Sequence, residues 1–322
     1  MARGKVNLLL VELHPVCVIG AAVVDVIACV PALPQRGGDL ALTQQSVTAG
    51  GCALNVTLAL HRLGVVPVNA LPVGQGAWAS VIRQKLQQYG IETAIEIPTG
   101  DNGWSLAMVE PDGERTFMSV AGVENRWTPE LLEELQVSED SWIYLSGYQL
   151  ISTAGEILIH WLEKRQIQQR IFVDFGPRLG DISHDHFWRI MALRPVITVN
   201  RQEAILLWQK LLQDSENYSH EALMDYWQQQ VSATLILRLD HQGAGYCSDT
   251  SQGWIPATQV DVVDTIGAGD SHAGALLAGL CCGWALSDAV SLANQVAAYV
   301  VSQRGGDCAP TLRQLREFIT RN

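Results

Sequence analysis

The stretch Val263-Asp264-Thr265-Ile266-Gly267-Ala268-Gly269-Asp270-Ser271 constrains this chain more than any other. Residues 260–263 precede it with strand character, and the small, apolar run 273–286 follows it as a buried helix. Two glycines and an alanine at such a junction let backbone N–H groups converge on one point, and the positive end of the following helix adds to the field there. That is a site for an anion, or for an oxygen that becomes one in a transition state. Asp270 stands at the same place. A carboxylate beside an anion hole needs something to act on, and the simplest role is general base. It would take a proton from a hydroxyl that attacks a phosphorus held by the amides. For so short a motif the alternative is a glycine-rich strand-to-helix turn with Asp270 as a helix cap.

The wider pattern Asp264-Thr265-x-Gly267-Ala268-Gly269-Asp270, with a small-residue helix behind it, resembles the second signature of the ribokinase (PfkB-type) family of carbohydrate and nucleoside kinases. The resemblance implies an α/β chain with a three-layer α/β/α fold, a mostly parallel central sheet and a small β-sheet lid. It implies ATP as co-substrate with Mg²⁺. Asp270 would be the base, and Gly267, Ala268 and Gly269 would form the anion hole. Gly50-Gly51 followed by Asn55 is similar to the family's first signature, in which the glycines approach the sugar and Asn bonds a hydroxyl. Asp25, after the apolar run 16–24, matches the family's sugar-binding Asp. Val23 and Cys52 replace an Asn and a Lys of ribokinase itself, which points away from ribose and toward another sugar or a nucleoside.

Asn200-Arg201-Gln202-Glu203 matches the family's Asn-x-x-Glu motif. Asn200 would reach phosphate oxygens, and Glu203 would hold Mg²⁺ through water. An N-cap with an acid in the first turn accounts for the same four residues. Gly243 falls in the family's loop under the nucleotide phosphates, with Asp240 where a Gly is usual. Asn294, 24 residues beyond Asp270, resembles the adenine-side Asn. Asp264 and the backbone carbonyls near Ile266, Arg304 and Gly306 would hold a monovalent cation such as K⁺. Arg178, in a loose family-like stretch, is a further phosphate or substrate contact. His272 replaces a commoner Phe and receives no role.

Along the rest of the chain, strands and helices alternate, as in a three-layer α/β fold with a largely parallel sheet. Strands are expected at 16–24, 65–73, 91–97, 142–145, 171–174, 196–199 and 235–239. The more polar stretches at about 33–49 and 103–120 interrupt the alternation and read as the lid. The whole of 1–322 reads as one kinase domain. Its 322 residues, 48% hydrophobic and 17% charged, supply a large core. The net charge of −12 disfavours nucleic acid or an acidic membrane surface as partner.

Seven cysteines without a Cys-x-x-Cys pair, and no leader-like or membrane-length segment, suit a cytoplasmic protein with reduced thiols. No Gly-x-x-x-x-Gly-Lys-Ser/Thr occurs, so a P-loop is excluded. The reading is an ATP-dependent kinase acting on a hydroxyl, a primary one, of a sugar. A nucleoside kinase is the alternative, with Trp104 and Phe117 as stacking platforms. A catalytically silent binding protein on the same fold is the second alternative. Pairing of lids between subunits would make a homodimer.

Overall fold

Strands that are apolar on both sides decide the layering. In β1 (Val16–Ile19), Cys17 and Ile19 join one buried cluster while Val16 and Val18 join another. The same division separates Ile171 and Val173 from Phe172, and Leu235 and Leu237 from Ile236. A sheet built this way must be covered on both faces. The computed structural model describes residues 10–42, 44–112, 114–151, 153–165, 170–212, 217–305 and 308–321.

The remaining strands are β2 (Val23–Cys29), β3 (Gln44–Gly50), β4 (Val68–Ala70), β5 (Trp104–Val109), β6 (Arg115–Val120), β7 (Trp142–Ser146), β8 (Arg170–Asp174), β9 (Val196–Val199), β10 (Thr234–Arg238), β11 (Ala244–Cys247) and β12 (Gln252–Ile255). Eight of them form the central sheet in the order β12-β11-β10-β9-β8-β7-β1-β4. It is parallel from β10 to β4, with β11 and β12 added antiparallel at one edge.

The helices are α1 (Cys52–Arg62), α2 (Ala77–Gln88), α3 (Pro129–Glu133), α4 (Thr153–Lys164), α5 (His184–Ala192), α6 (Arg201–Leu212), α7 (His220–Gln230), α8 (Ala268–Cys281), α9 (Leu286–Val301) and α10 (Leu312–Arg321). Leu132, Leu158, Phe187, Leu207 and Trp227 carry α3 to α7 onto one face. Leu54, Leu276, Val296 and Leu315 carry α1, α8, α9 and α10 onto the other. Helix α8 is buried almost all round, which its small residues permit: a Cβ on Gly274 would lie 2.8 Å from Ala59 of α1. No helix among the described residues is long and apolar enough to cross a membrane.

A second sheet, ordered β3-β2-β5-β6, stands apart from the first. One of its faces, with Val24, Val26, Ala49 and Leu106, packs in the cluster that includes Ile82 of α2. Strand alternation puts Asp25, Thr48, Ser105 and Ser119, which pair across the strands, on the opposite face. Two buried side chains tie this sheet to the body. Asn102 accepts from Gly74 N at 2.8 Å and donates to the carbonyls of Ala22 at 3.1 Å and Pro72 at 2.9 Å. Glu124 accepts from Gly103 N and Gly122 N, each at 2.7 Å.

Several expectations change. The single strand over 16–24 is broken at Gly20, where a Cβ would lie 2.3 Å from that of Ala53. The chain leaves the central sheet there, and β2 becomes a strand of the second sheet, which therefore starts before residue 33. Residues 91–97 form no strand beyond one bridge, Val73 to Glu96. The Thr93 hydroxyl takes the Leu71 carbonyl at 2.6 Å, and the segment follows β4 irregularly. Residues 260–263 form no strand either. Val262 and Val263 are exposed, and Val263 N donates to Val301 O at 2.7 Å, so the motif hangs from the end of α9. The helix expected over 273–286 starts earlier, at Ala268, and stops at Cys281 before Gly283 with φ 72°. In the hairpin between β5 and β6, the turn residue Gly113 lies outside the described residues.

Replacing Asn102 by Ala would leave three buried backbone groups without partners. The expected loss is about 3 kcal/mol. Urea unfolding checks it: the midpoint should fall at an unchanged m-value, and a loss under about 0.5 kcal/mol would show that Asn102 does not hold the two sheets together.

Candidate active site

In open α/β sheets, ligands bind beyond the carboxyl ends of the strands. Asp174 ends β8, Arg238 ends β10, and Asn200 follows β9 directly. Helix α8 brings its N-terminus to the same edge. Gly267 caps it at φ 73°, a conformation that strains any residue with a Cβ. Gly269 must also lack a side chain, because a Cβ there would lie 2.6 Å from Nη1 of Arg238. The first-turn amides of a helix have no intrahelical acceptor, and Asp270 lies within that turn.

Helix α1 meets α8 here. Asn55 Nδ2 donates to Asp270 Oδ2 at 2.7 Å, joining residues 215 apart in sequence. The Cys52 thiol is hydrogen-bonded to the same carboxylate. Burial first, then the charges of Asp270 and Asp174, push it well above the usual thiol range, so it stays protonated. One turn back along the chain, Gly50 packs on Asp25, where a Cβ would lie 2.3 Å from Oδ2. Ser105 Oγ donates to Asp25 Oδ1 and fixes the carboxylate. Tyr148 also belongs to this region: burial, with Cys52 and Asp270, raises its hydroxyl to about 12.

Asn200 and Glu203 form a reciprocal helix cap. Asn200 Oδ1 accepts from Glu203 N at 2.9 Å, while the Glu203 carboxylate accepts from Asn200 N at 2.8 Å and Asn200 Nδ2 at 2.9 Å. Glu203 is only 3% exposed and faces Arg238, whose Nη2 lies 3.4 Å from its Oε2 and 3.8 Å from Asp174 Oδ1. Burial raises Asp174 to about 7; Arg238 opposes this, and Glu203 and Asp270 add to it. For Arg238, burial works against the charge, but the three carboxylates outweigh it and raise its affinity for the proton.

A cavity of about 380 Å³ opens beside these groups. Asn200, Arg238 and Gly269 line it, together with the apolar Val260, Val262, Ala297, Ala298 and Val301. Gly243 and Asn294 lie in its wall as expected. The Asn294 amide is engaged within the protein. Its Nδ2 donates to Ile255 O at 3.0 Å and Pro256 O at 3.3 Å, so Oδ1 accepts from His272 Nε2 at 3.1 Å. Burial, with Arg238, lowers His272 to about 3, and the ring is neutral.

The pfkB family carbohydrate kinase model matches residues 13–312. The chain belongs to the PfkB family of carbohydrate kinases. It is 52% identical to the uncharacterized sugar kinase YegV of Escherichia coli over 318 residues, 98% of either chain. It is 26% identical to the ATP-dependent ribose-1-phosphate kinase of Halopiger xanaduensis over 300 residues, 92% of this chain and 95% of that one. The ribokinase structure from Thermotoga maritima superposes with a TM-score of 0.83 at 19% identity, over 96% of this chain and 100% of the other. The protein is therefore a kinase of this family with the ribokinase fold.

Of the residues the sequence singled out, Asn55 and Asp270 meet directly, and Gly50 and Asp25 adjoin them through the start of α1. In this PfkB chain Asp264 pins the motif: Oδ1 accepts from Ile266 N at 3.0 Å and Oδ2 from Gly305 N at 3.1 Å. Gly306 lies outside the described residues. Arg178 is exposed and paired with Asp181 at 2.7 Å. Trp104 stacks on Trp78 with centroids 5.5 Å apart, on the face opposite Asp25. Sequence reading missed Arg238, Ser105 and Tyr148. An arginine closing the apolar strand Leu235-Ile236-Leu237 at the ligand edge was the available signal for the first.

Asp174 binds its proton more tightly folded than unfolded, so its contribution to stability falls as pH rises between about 4 and 7. Asp174→Asn removes this cost of ionisation. Its melting temperature relative to wild type should therefore rise between pH 5 and pH 8, as scanning calorimetry would show. A difference independent of pH would place the Asp174 proton elsewhere.

Proposed function

We propose that the protein transfers the γ-phosphoryl group of ATP to a hydroxyl, a primary one, of a sugar held by Asp25, Gly50, Gly51 and Asn55. Asp270 takes the hydroxyl proton as the oxygen attacks the γ-phosphorus in line. The bond from that phosphorus to the oxygen bridging to the β-phosphate breaks, and ADP leaves. Amides of Gly267, Ala268, Gly269 and Asp270 stabilise the charge on the transferred group. The observation that carries this reading is the 2.7 Å hydrogen bond from Asn55 to Asp270. It joins the sugar-side signature to the anion turn at the mouth of the cavity.

Asn200 and Gly243 take the phosphate end of the nucleotide, and Asn294 shapes the wall beside its base. Three carboxylates, Asp174, Glu203 and Asp270, face the single guanidinium of Arg238. That surplus of hard oxygen donors suits Mg²⁺, which Glu203 would hold through water. When bound, Mg²⁺ neutralises phosphate charge. Asp264 with the carbonyls of Ile266 and Arg304 offers the all-oxygen set a monovalent cation takes. The second sheet acts as a lid, and the exposed apolar side chains of β6 favour pairing with a second copy.

A sugar is favoured over a nucleoside because Ser105 and Ser119 surround Asp25 and Trp104 is committed to Trp78. Phe117, exposed on the Asp25 face, supports the second reading, a nucleoside kinase.

ATP consumption with Mg²⁺ and K⁺ across pentoses, hexoses, sugar acids and nucleosides tests the reading. One sugar should turn over strongly. Asp270→Asn should then lose about 10³-fold in kcat while ADP affinity stays within about threefold. Equal turnover by both proteins would remove Asp270 from the base role, and a nucleoside hit would decide for the second reading.

A further inference from the structure

Arg238 is used by none of the steps above, yet it is the most constrained side chain in the cleft. It follows three apolar residues of β10 that are fully buried. Its side chain is only 13% exposed. Taking a guanidinium out of water is costly unless something holds its charge. Nη2 meets that need, with Glu203 at 3.4 Å and Asp174 at 3.8 Å.

The other side of the fork has no such partner. A guanidinium carries five N–H donors. Nη1 makes no hydrogen bond among the described residues, and buried Nε has no partner. Nη1 lies against Gly269 in the anion turn, so close that a Cβ there would stand 2.6 Å from it. Arg238, Gly269 and Asn200 share the wall of one cavity. Neutralising Asp174 and Glu203 would need Nη2 alone. Nη1, beside Gly269 in the cavity wall, is left as the donor free for a phosphate oxygen, a charge-assisted hydrogen bond.

We propose that Arg238 is a catalytic residue whose Nη1 donates to an oxygen of the transferred γ-phosphoryl group, with Asp174 and Glu203 as positioning residues behind it. This rests on the kinase reading and extends it: the chain supplies its own arginine to the charge that spreads over the phosphoryl oxygens. Gly269 is then required twice, for the turn and to admit the guanidinium. Because ADP lacks the γ-phosphoryl group, Arg238 separates ATP from ADP.

Calorimetric titration with ADP and with the β,γ-imido analogue of ATP, both with Mg²⁺, tests this without a known sugar. Arg238→Met should lose at least about tenfold in affinity for the imido analogue and stay within about threefold for ADP. Arg238→Met leaves Asp174 and Glu203 uncompensated, so the double variant Arg238→Met, Asp174→Asn is measured beside it. Arg238→Lys, which keeps the charge but has one nitrogen where Arg238 uses two, is the third. It should bind the analogue more weakly than wild type, again with ADP unchanged. Should neither Met variant fold, the Lys variant decides. Unchanged affinity for the analogue, or an equal loss for both nucleotides, overturns the proposal. Wild type that binds neither nucleotide overturns the kinase reading, and this inference with it.

Discussion

Two helix N-termini meet in this molecule, and the cleft takes its form from their meeting. Helices α1 and α8 run so close that Gly274 has no room for a side chain beside Ala59. That contact needs small residues, and it sets the first turns of both helices side by side. Asn55 then reaches Asp270 without further arrangement. The positive ends of two helices would repel each other if nothing stood between them. Asp270 stands there, with the Cys52 thiol held protonated beside it. A bulkier residue at 274 would part Asn55 from Asp270 before it touched either of them.

Charge is handled in the same layered way on the other side of α8. Asp174, Glu203 and Asp270 all act on Arg238, and burial works on Asp174 and on Arg238 itself. One guanidinium cannot neutralise three carboxylates. A proton on Asp174, raised to about 7, relieves part of the excess, and a hard divalent cation would relieve it more fully. Glu203 cannot leave this arrangement, because its carboxylate also closes the cap of α6. The helix-cap and functional readings of Asn200 and Glu203 are compatible for that reason.

What the sequence revealed and what it hid follow from the range of the interactions. The turn at Gly267 was legible because its backbone conformation is a local demand. The layered fold was legible from apolar strands separated by amphipathic helices. Residues 260–263 misled because Val260 and Val262 face a cavity, and a cavity wall has the same apolar character as a strand. Gly20 misled because the break depends on Ala53, thirty-three residues away. Arg238 offers only its place at the end of an apolar strand: its meaning comes from Asp174, Glu203 and Gly269, on three other elements.

The cavity extends this division of labour from charge to apolar surface. Arg238, Asn200 and the start of α8 line it, and so do valines and alanines of α9 and the 257–262 segment. Asn294 and His272, a hydrogen-bonded pair, line it as well. Ile255 and Pro256 hold the Asn294 amide nitrogen, which turns its oxygen to His272, while burial and the charge of Arg238 keep that ring neutral. A charged His272 would stand close to Arg238 and oppose it. Burial therefore keeps a second cation away from Arg238, and the apolar lining leaves room to select by shape. A phosphate chain and a flat base make these same two demands on a protein.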